Sequence, residues 1–181
     1  MNTKNIICLF SLLVVFGCAE KIKPSEWLLA TYQNAKGQDL SCLMHVIIAP
    51  RLYERNDTLF LTRIDIGFKD TAIALSPDTN YSEYPKSIML YAQLKGISLD
   101  SAKANWRMTY PKITSTYFAI GISEMFSLPR LGDFIAFCMD ESSKTCLYYV
   151  PDTSKVWYES YKKKFVPRNQ LCEQWYYIID K

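Results

Sequence analysis

The sequence predicts an α+β domain: an antiparallel sheet with an N-terminal helix and a central short helix pair. Three observations carry that reading. Strand-like runs are joined by short turns rather than by crossover helices. Three segments place apolar residues at helical spacing, each with a capping residue ahead of it or a glycine behind it. Two cysteines, Cys138 and Cys146, stand on either side of a polar turn.

Taken in order, Ser25 caps a helix over residues 26–36, with Leu28, Thr31, Tyr32 and Ala35 on one face and Gly37 as its stop. Residues 41–49 are apolar apart from His45 and end at Pro50, the pattern of a buried strand. After a turn at 54–57, residues 58–68 alternate, with Phe60, Thr62, Ile64, Ile66 and Phe68 on one side. The two runs predict a hairpin with one wet face. Residues 76–84 read as a loop. Residues 86–95 then carry Ile88, Tyr91 and Ala92 at helical spacing and stop at Gly96, and Ser98 caps a helix over 99–108 that presents Leu99, Ala102 and Trp106. From Ile113 onward strand patterns return, at 116–122, 134–139, 145–150 and 155–161, with a final aromatic segment at 174–179. There is no internal repeat and no low-complexity segment.

The first eighteen residues read as an export leader. Lys4 supplies a positive start, and residues 6–16 are apolar except for Cys8 and Ser11. As a helix rising ~1.5 Å per residue this run spans roughly 16 Å, about half of a ~30 Å hydrocarbon core, which suits a cleaved leader better than a membrane span. Val15-Phe16-Gly17-Cys18 then resembles the lipobox of bacterial lipoproteins, in which a signal peptidase cuts before a cysteine that becomes acylated. The resemblance implies a signal peptide over 1–17, acyl chains such as palmitate on Cys18, and a cell-envelope location with the outer membrane as the expected bilayer. Gly17-Cys18-Ala19 also satisfies the small-x-small rule for plain secretory cleavage after Ala19, so that reading stands beside it. Residues 18–24 are then a short lipidated tether, and 25–181 a single globular domain large enough to bury its own core.

Losing Lys4 with the leader takes the formal charge from +3 to +2. So even a balance predicts no nucleic-acid partner, which would need a concentrated basic face. Cys8 leaves with the leader and Cys18 is taken by acylation, so Cys42, Cys138, Cys146 and Cys172 remain. In an oxidising envelope an even set is expected to pair, although four cysteines allow three pairings. A turn centred on Ser142 sets Cys138 opposite Cys146 and predicts that bridge; Cys42 with Cys172 follows by elimination.

Little else points to chemistry. Residues 92–102 resemble a helix-turn-helix, but only Lys103, Asn105 and Arg107 offer suitable side chains on its second helix, and any tight helix pair shares the pattern. His45 is the only histidine, so an imidazole base or ligand would have to be this one. In a strand it would face away from Cys42, which favours a packed histidine over a metal or catalytic role. Asp65 with Asp70, and Asp133 with Asp140 and Glu141, read as solvated turn acids. Lys162-Lys163-Lys164, among Tyr158, Tyr161 and Phe165, reads as a solvated turn after a strand, with anionic lipid or polysaccharide contact as the other reading. No cofactor, metal or catalytic residue is expected. The expected function is a membrane-anchored, non-catalytic binding or structural module for an unknown protein or glycan partner. An envelope hydrolase with unidentified carboxylates and an immunity or inhibitor lipoprotein are the alternatives.

Overall fold

The computed structural model describes residues 23–49, 52–55, 58–61, 63–76, 84–139 and 145–179. Residues 1–22, Cys18 among them, and Asp140, Glu141 and Ser142, expected in a turn, lie outside them. The chain is α+β, as its sequence predicts. Helix α1 (Glu26–Ala35) begins where Ser25 accepts a hydrogen bond from the Leu28 N–H, and it buries Leu28, Thr31 and Ala35. Among the described residues ten strands follow in two antiparallel sheets: β1 (Val46–Ile48), β2 (Leu52–Arg55), β3 (Thr58–Leu61), β4 (Ile64–Gly67), β5 (Ala72–Leu75), β6 (Glu124–Phe126), β7 (Ile135–Cys138), β8 (Thr145–Tyr149), β9 (Gln170–Cys172) and β10 (Trp175–Ile179). Eight of them form one sheet in the order β5-β4-β1-β6-β7-β8-β10-β9, and β2 and β3 pair as a separate ribbon. Helices α2 (Tyr84–Lys95), α3 (Leu99–Ile120) and α4 (Glu159–Lys162) complete the set. Among the described residues no helix is long and apolar enough to cross a membrane.

Period-two alternation splits the sheet into two faces, each with its own cover. Val46, Ile48, Ile64, Met125, Phe137, Leu147 and Tyr177 pack in one core with Leu28 of α1, Ile88 of α2 and Trp106, Ile113 and Tyr117 of α3. On the other face Ala136, Cys138, Cys146, Tyr148, Tyr176 and Ile178 are roofed by the chain from Val156 to Phe165, without a long helix. Cys138 and Cys146 face each other across β7 and β8 with Cα atoms 4.5 Å apart and form the predicted disulfide. Closing so short a loop is worth roughly 2.5 kcal/mol on the chain-entropy model.

Several expectations need correction. Residues 116–122 are not a strand: α3 runs on to Ile120 through Pro111, because Ile113, Tyr117 and Ile120 continue the buried stripe begun by Ala102 and Trp106. Gly121, at φ +74°, ends the helix in the left-handed conformation that glycine adopts without penalty. The run at 41–49 is divided. Leu40–Leu43 is a 3-10 turn capped by Asp39, and only Val46–Ile48 is strand. The two runs do pair, as β1 against β4, but 58–68 is not one strand: it is divided between β3 of the ribbon and β4 of the large sheet, and Glu54 and Arg55, expected in the turn, belong to β2. Residues 155–161 form no strand either; they pass through one bridge, Val156 to Gly132, into α4. Strands β2, β5, β6 and β9 lie where the sequence predicts no strand.

Cys42 and Cys172 remain free thiols rather than a second bridge. The Cys42 Sγ lies 3.5 Å from the Asp39 carbonyl oxygen and 3.6 Å from the Thr116 Oγ1, whereas the Cys172 thiol donates to the Tyr32 hydroxyl at 3.1 Å. Each has a separate partner on a different helix, so pairing by elimination fails. Alkylation of the unfolded, unreduced protein is therefore expected to label Cys42 and Cys172 and spare Cys138 and Cys146; a linked Cys42–Cys172 peptide would refute this arrangement.

Tyr117 ties α3 to the sheet through its hydroxyl, which donates to the Ser123 carbonyl at 2.7 Å. Burial first, and the Glu124 charge second, push its pKa up to about 12, and burial raises Tyr91 and Tyr177 in the same direction. A tyrosine raised from ~10 in the unfolded chain contributes stability that is complete below that pH and is lost as pH climbs through the folded value. Circular dichroism on alkaline titration should show unfolding beginning above pH ~10. Tyr117→Phe should move that transition upward while costing about 1 kcal/mol at neutral pH for the lost hydrogen bond.

Candidate functional site

One end of the large sheet collects most of the irregular backbone. Pairing of Ile47 with Phe126, Phe126 with Ala136, Ile135 with Tyr149, and Trp175 with Tyr149 brings together the start of β1, the end of β6, the start of β7, the end of β8 and the start of β10. The segments entering and leaving those strands converge there: Asp39 to His45, Ser127 to Asp133, Val150 to Val156, and Glu173 to Gln174. Ends of strands and their loops are where function concentrates on a rigid scaffold.

On the helix-bearing face this end opens into a cleft of about 400 Å³, a size within the usual range for small-ligand sites. It is lined by Lys36 and Gln38 just past α1, by Asp39, Ser41 and Met44 in and around the 3-10 segment, by Tyr149 of β8, by Gln174 just ahead of β10 and by Trp175 of β10. Asp39 is the one carboxylate in this lining. Its oxygen accepts the Ser41 N–H at 3.0 Å, and the Ser41 hydroxyl and N–H together hold its carboxyl below the usual range, so it stays charged. The site thus offers a fixed anion, a lysine, two primary amides and aromatic edges. That set hydrogen-bonds and orients polar ligands. Sequence reasoning misses Gln38, Asp39 and Gln174: the first two lie in a polar stretch between a helix stop and an apolar run, and Gln174 only opens the final aromatic segment.

His45 stands at the same end, in a turn and not in a strand as its apolar neighbours suggest. Its φ of +64° is left-handed, a conformation few non-glycine residues adopt. The surroundings fix it there: the His45 N–H donates to the buried Ser127 Oγ at 2.9 Å, and its carbonyl accepts the Gly67 N–H at 2.7 Å. The ring Nε2 lies 3.3 Å from Asp133 Oδ1, with the two side chains 43% and 32% exposed. His45 is therefore a half-exposed hydrogen-bonding partner of Asp133 rather than a packed core residue. Ser127 contacts the His45 backbone and not its ring, so serine, histidine and aspartate are near one another without forming a nucleophile–base relay.

The remaining expected residues fall apart in space. Asp65 lies on β4, not in a turn, with both oxygens on the Arg63 guanidinium. Lys162 pairs with Glu159 inside α4 at 3.0 Å. Among the described residues no group of three or more histidine, cysteine or acidic side chains could hold a metal ion. No family model, no curated protein and no solved structure matches the chain.

Proposed function

We propose that the protein is an envelope lipoprotein, acylated at Cys18, whose α+β domain is a non-catalytic binding module with the cleft beside Asp39 as its ligand site. The cleft carries this reading. It combines hydrogen-bonding side chains with aromatic edges, as a site for a sugar ring or a short polar peptide requires. A two-carboxylate hydrolase would need a second acid about 5 or 6.5–9.5 Å from the first, and Asp39 has no acidic companion in the lining. The leader pattern supports the envelope location, and the Cys138–Cys146 bridge suits an oxidising compartment.

Ser41→Trp tests the site. Ser41 is exposed and its backbone N–H, which caps onto Asp39, survives the substitution, so the indole should fill the cleft without unfolding the domain. Against arrays of envelope glycans and peptides, the variant is expected to lose about tenfold or more in affinity, roughly 1.4 kcal/mol, for whichever ligand the native protein retains. Equal retention by both proteins would move the site elsewhere.

A further inference from the structure

Residues 152–168 hold five lysines and arginines against two acids, a net +3 that equals the formal charge of the whole chain. The excess positive charge is therefore local, and this stretch lies on the outside of the sheet's second face. Val156 and Phe165 turn inward as its roof, while Lys155, Lys162, Lys163 and Arg168 are exposed. Among them stand Trp157 and Tyr158, each 54% exposed. Such exposure of two adjacent aromatics is not fraying. Both backbone N–H groups donate to the Leu131 carbonyl, at 3.0 and 3.1 Å, and the Asp133 N–H donates to the Lys155 carbonyl at 2.9 Å. Gly132 lets the two segments close to backbone contact, since a Cβ there would lie 2.6 Å from the Val156 Cα. Glu159, the acid nearest the aromatic pair in sequence, is neutralised by Lys162.

A rigid aromatic pair ringed by lysines matches the chemistry of a membrane–water interface, where tryptophan and tyrosine settle at headgroup level and basic side chains meet anionic phosphates. We infer that this ridge docks the domain on an anionic bilayer, with Trp157 and Tyr158 entering the interface and Lys155, Lys163 and Arg168 on headgroup phosphates. The inference rests on the anchored-lipoprotein reading to this extent: from Cys18 to Lys23 an extended tether reaches about 20 Å at most, so the bilayer is the surface the domain meets continually. Charge complementarity then selects the face that turns toward it.

Binding without the anchor is the test. The processed chain, residues 18–181 carrying Cys18→Ser, is mixed with vesicles of phosphatidylglycerol and phosphatidylcholine, with phosphatidylcholine vesicles, and with a soluble anionic polysaccharide. The expected result is co-sedimentation with the anionic vesicles about tenfold above the neutral ones. It should be accompanied by a blue shift of tryptophan emission that Trp157→Phe removes, since Trp106 and Trp175 are already buried and Trp27 is partly buried against the helix-covered core. Trp157→Ser with Tyr158→Ser, and separately Lys155→Glu with Lys163→Glu, should each abolish the preference with melting unchanged. Equal binding to neutral vesicles, binding to the polysaccharide alone, or full binding by both double variants would overturn the inference. Acylation of Cys18 in the cellular protein is read separately by mass, so acylation in cells with a Cys18→Ser chain that ignores vesicles refutes the docking surface alone, and vesicle binding by the Cys18→Ser chain of a protein never acylated in cells supports it.

Discussion

Gly132→Ala is expected to destabilise the fold by about 2–5 kcal/mol, lowering the melting temperature by roughly 10 °C in a domain of this size. Gly132 sits at φ +136°, where L-residues are strained, and an added Cβ would approach the Val156 Cα to 2.6 Å and the Lys155 carbonyl oxygen to 2.7 Å. Both are backbone atoms, so no side chain can swing aside. The segments 131–133 and 155–158 would have to part, taking with them the bridge to Val156 and the hold on Trp157 and Tyr158. Differential scanning calorimetry checks the cost; a melting temperature within about 2 °C of the parent would mean that the two backbones are not in contact.

Cys18→Ser is expected to produce the largest change in location: the protein should pass from the membrane fraction to a soluble or unprocessed form. Stable anchoring needs more than one acyl chain, and on the lipoprotein reading proposed above Cys18 is where they would attach. Fractionation with immunodetection reads this directly. If the basic aromatic ridge also engages lipid, the released protein should still show weak, salt-sensitive membrane association, which high ionic strength removes by screening. Unchanged, salt-resistant partitioning would count against an acyl anchor at this position.

The parts of the fold legible in the sequence are those set by local rules. Ser25 before an apolar stripe yields α1, and two cysteines equidistant from a polar turn yield the bridged β7–β8 pair, because capping and cross-strand register depend on neighbours a few residues away. The extension of α3 was hidden because Ile113, Thr114, Thr116 and Tyr117 are residue types that favour strands, and only their burial against the sheet selects the helix. Cys42 and Cys172 looked like partners by count, yet their positions depend on α3 and α1, whose placement no spacing encodes. His45 shows the same limit from the other side. Its left-handed backbone is imposed by Ser127 and Gly67, distant residues that meet it only through the β1–β4–β6 pairing. The cleft is not legible in the sequence, since it belongs to three separate segments, 35–44, 149–151 and 174–175, meeting at one end of a sheet.

Mass spectrometry of the N-terminal peptide from membrane-fraction protein decides whether Cys18 holds the domain to the envelope membrane. The predicted result is a chain that begins at Cys18 and carries acyl chains on that residue. A chain that begins at Glu20, or one that retains residues 1–17 with an unmodified Cys18, would contradict it.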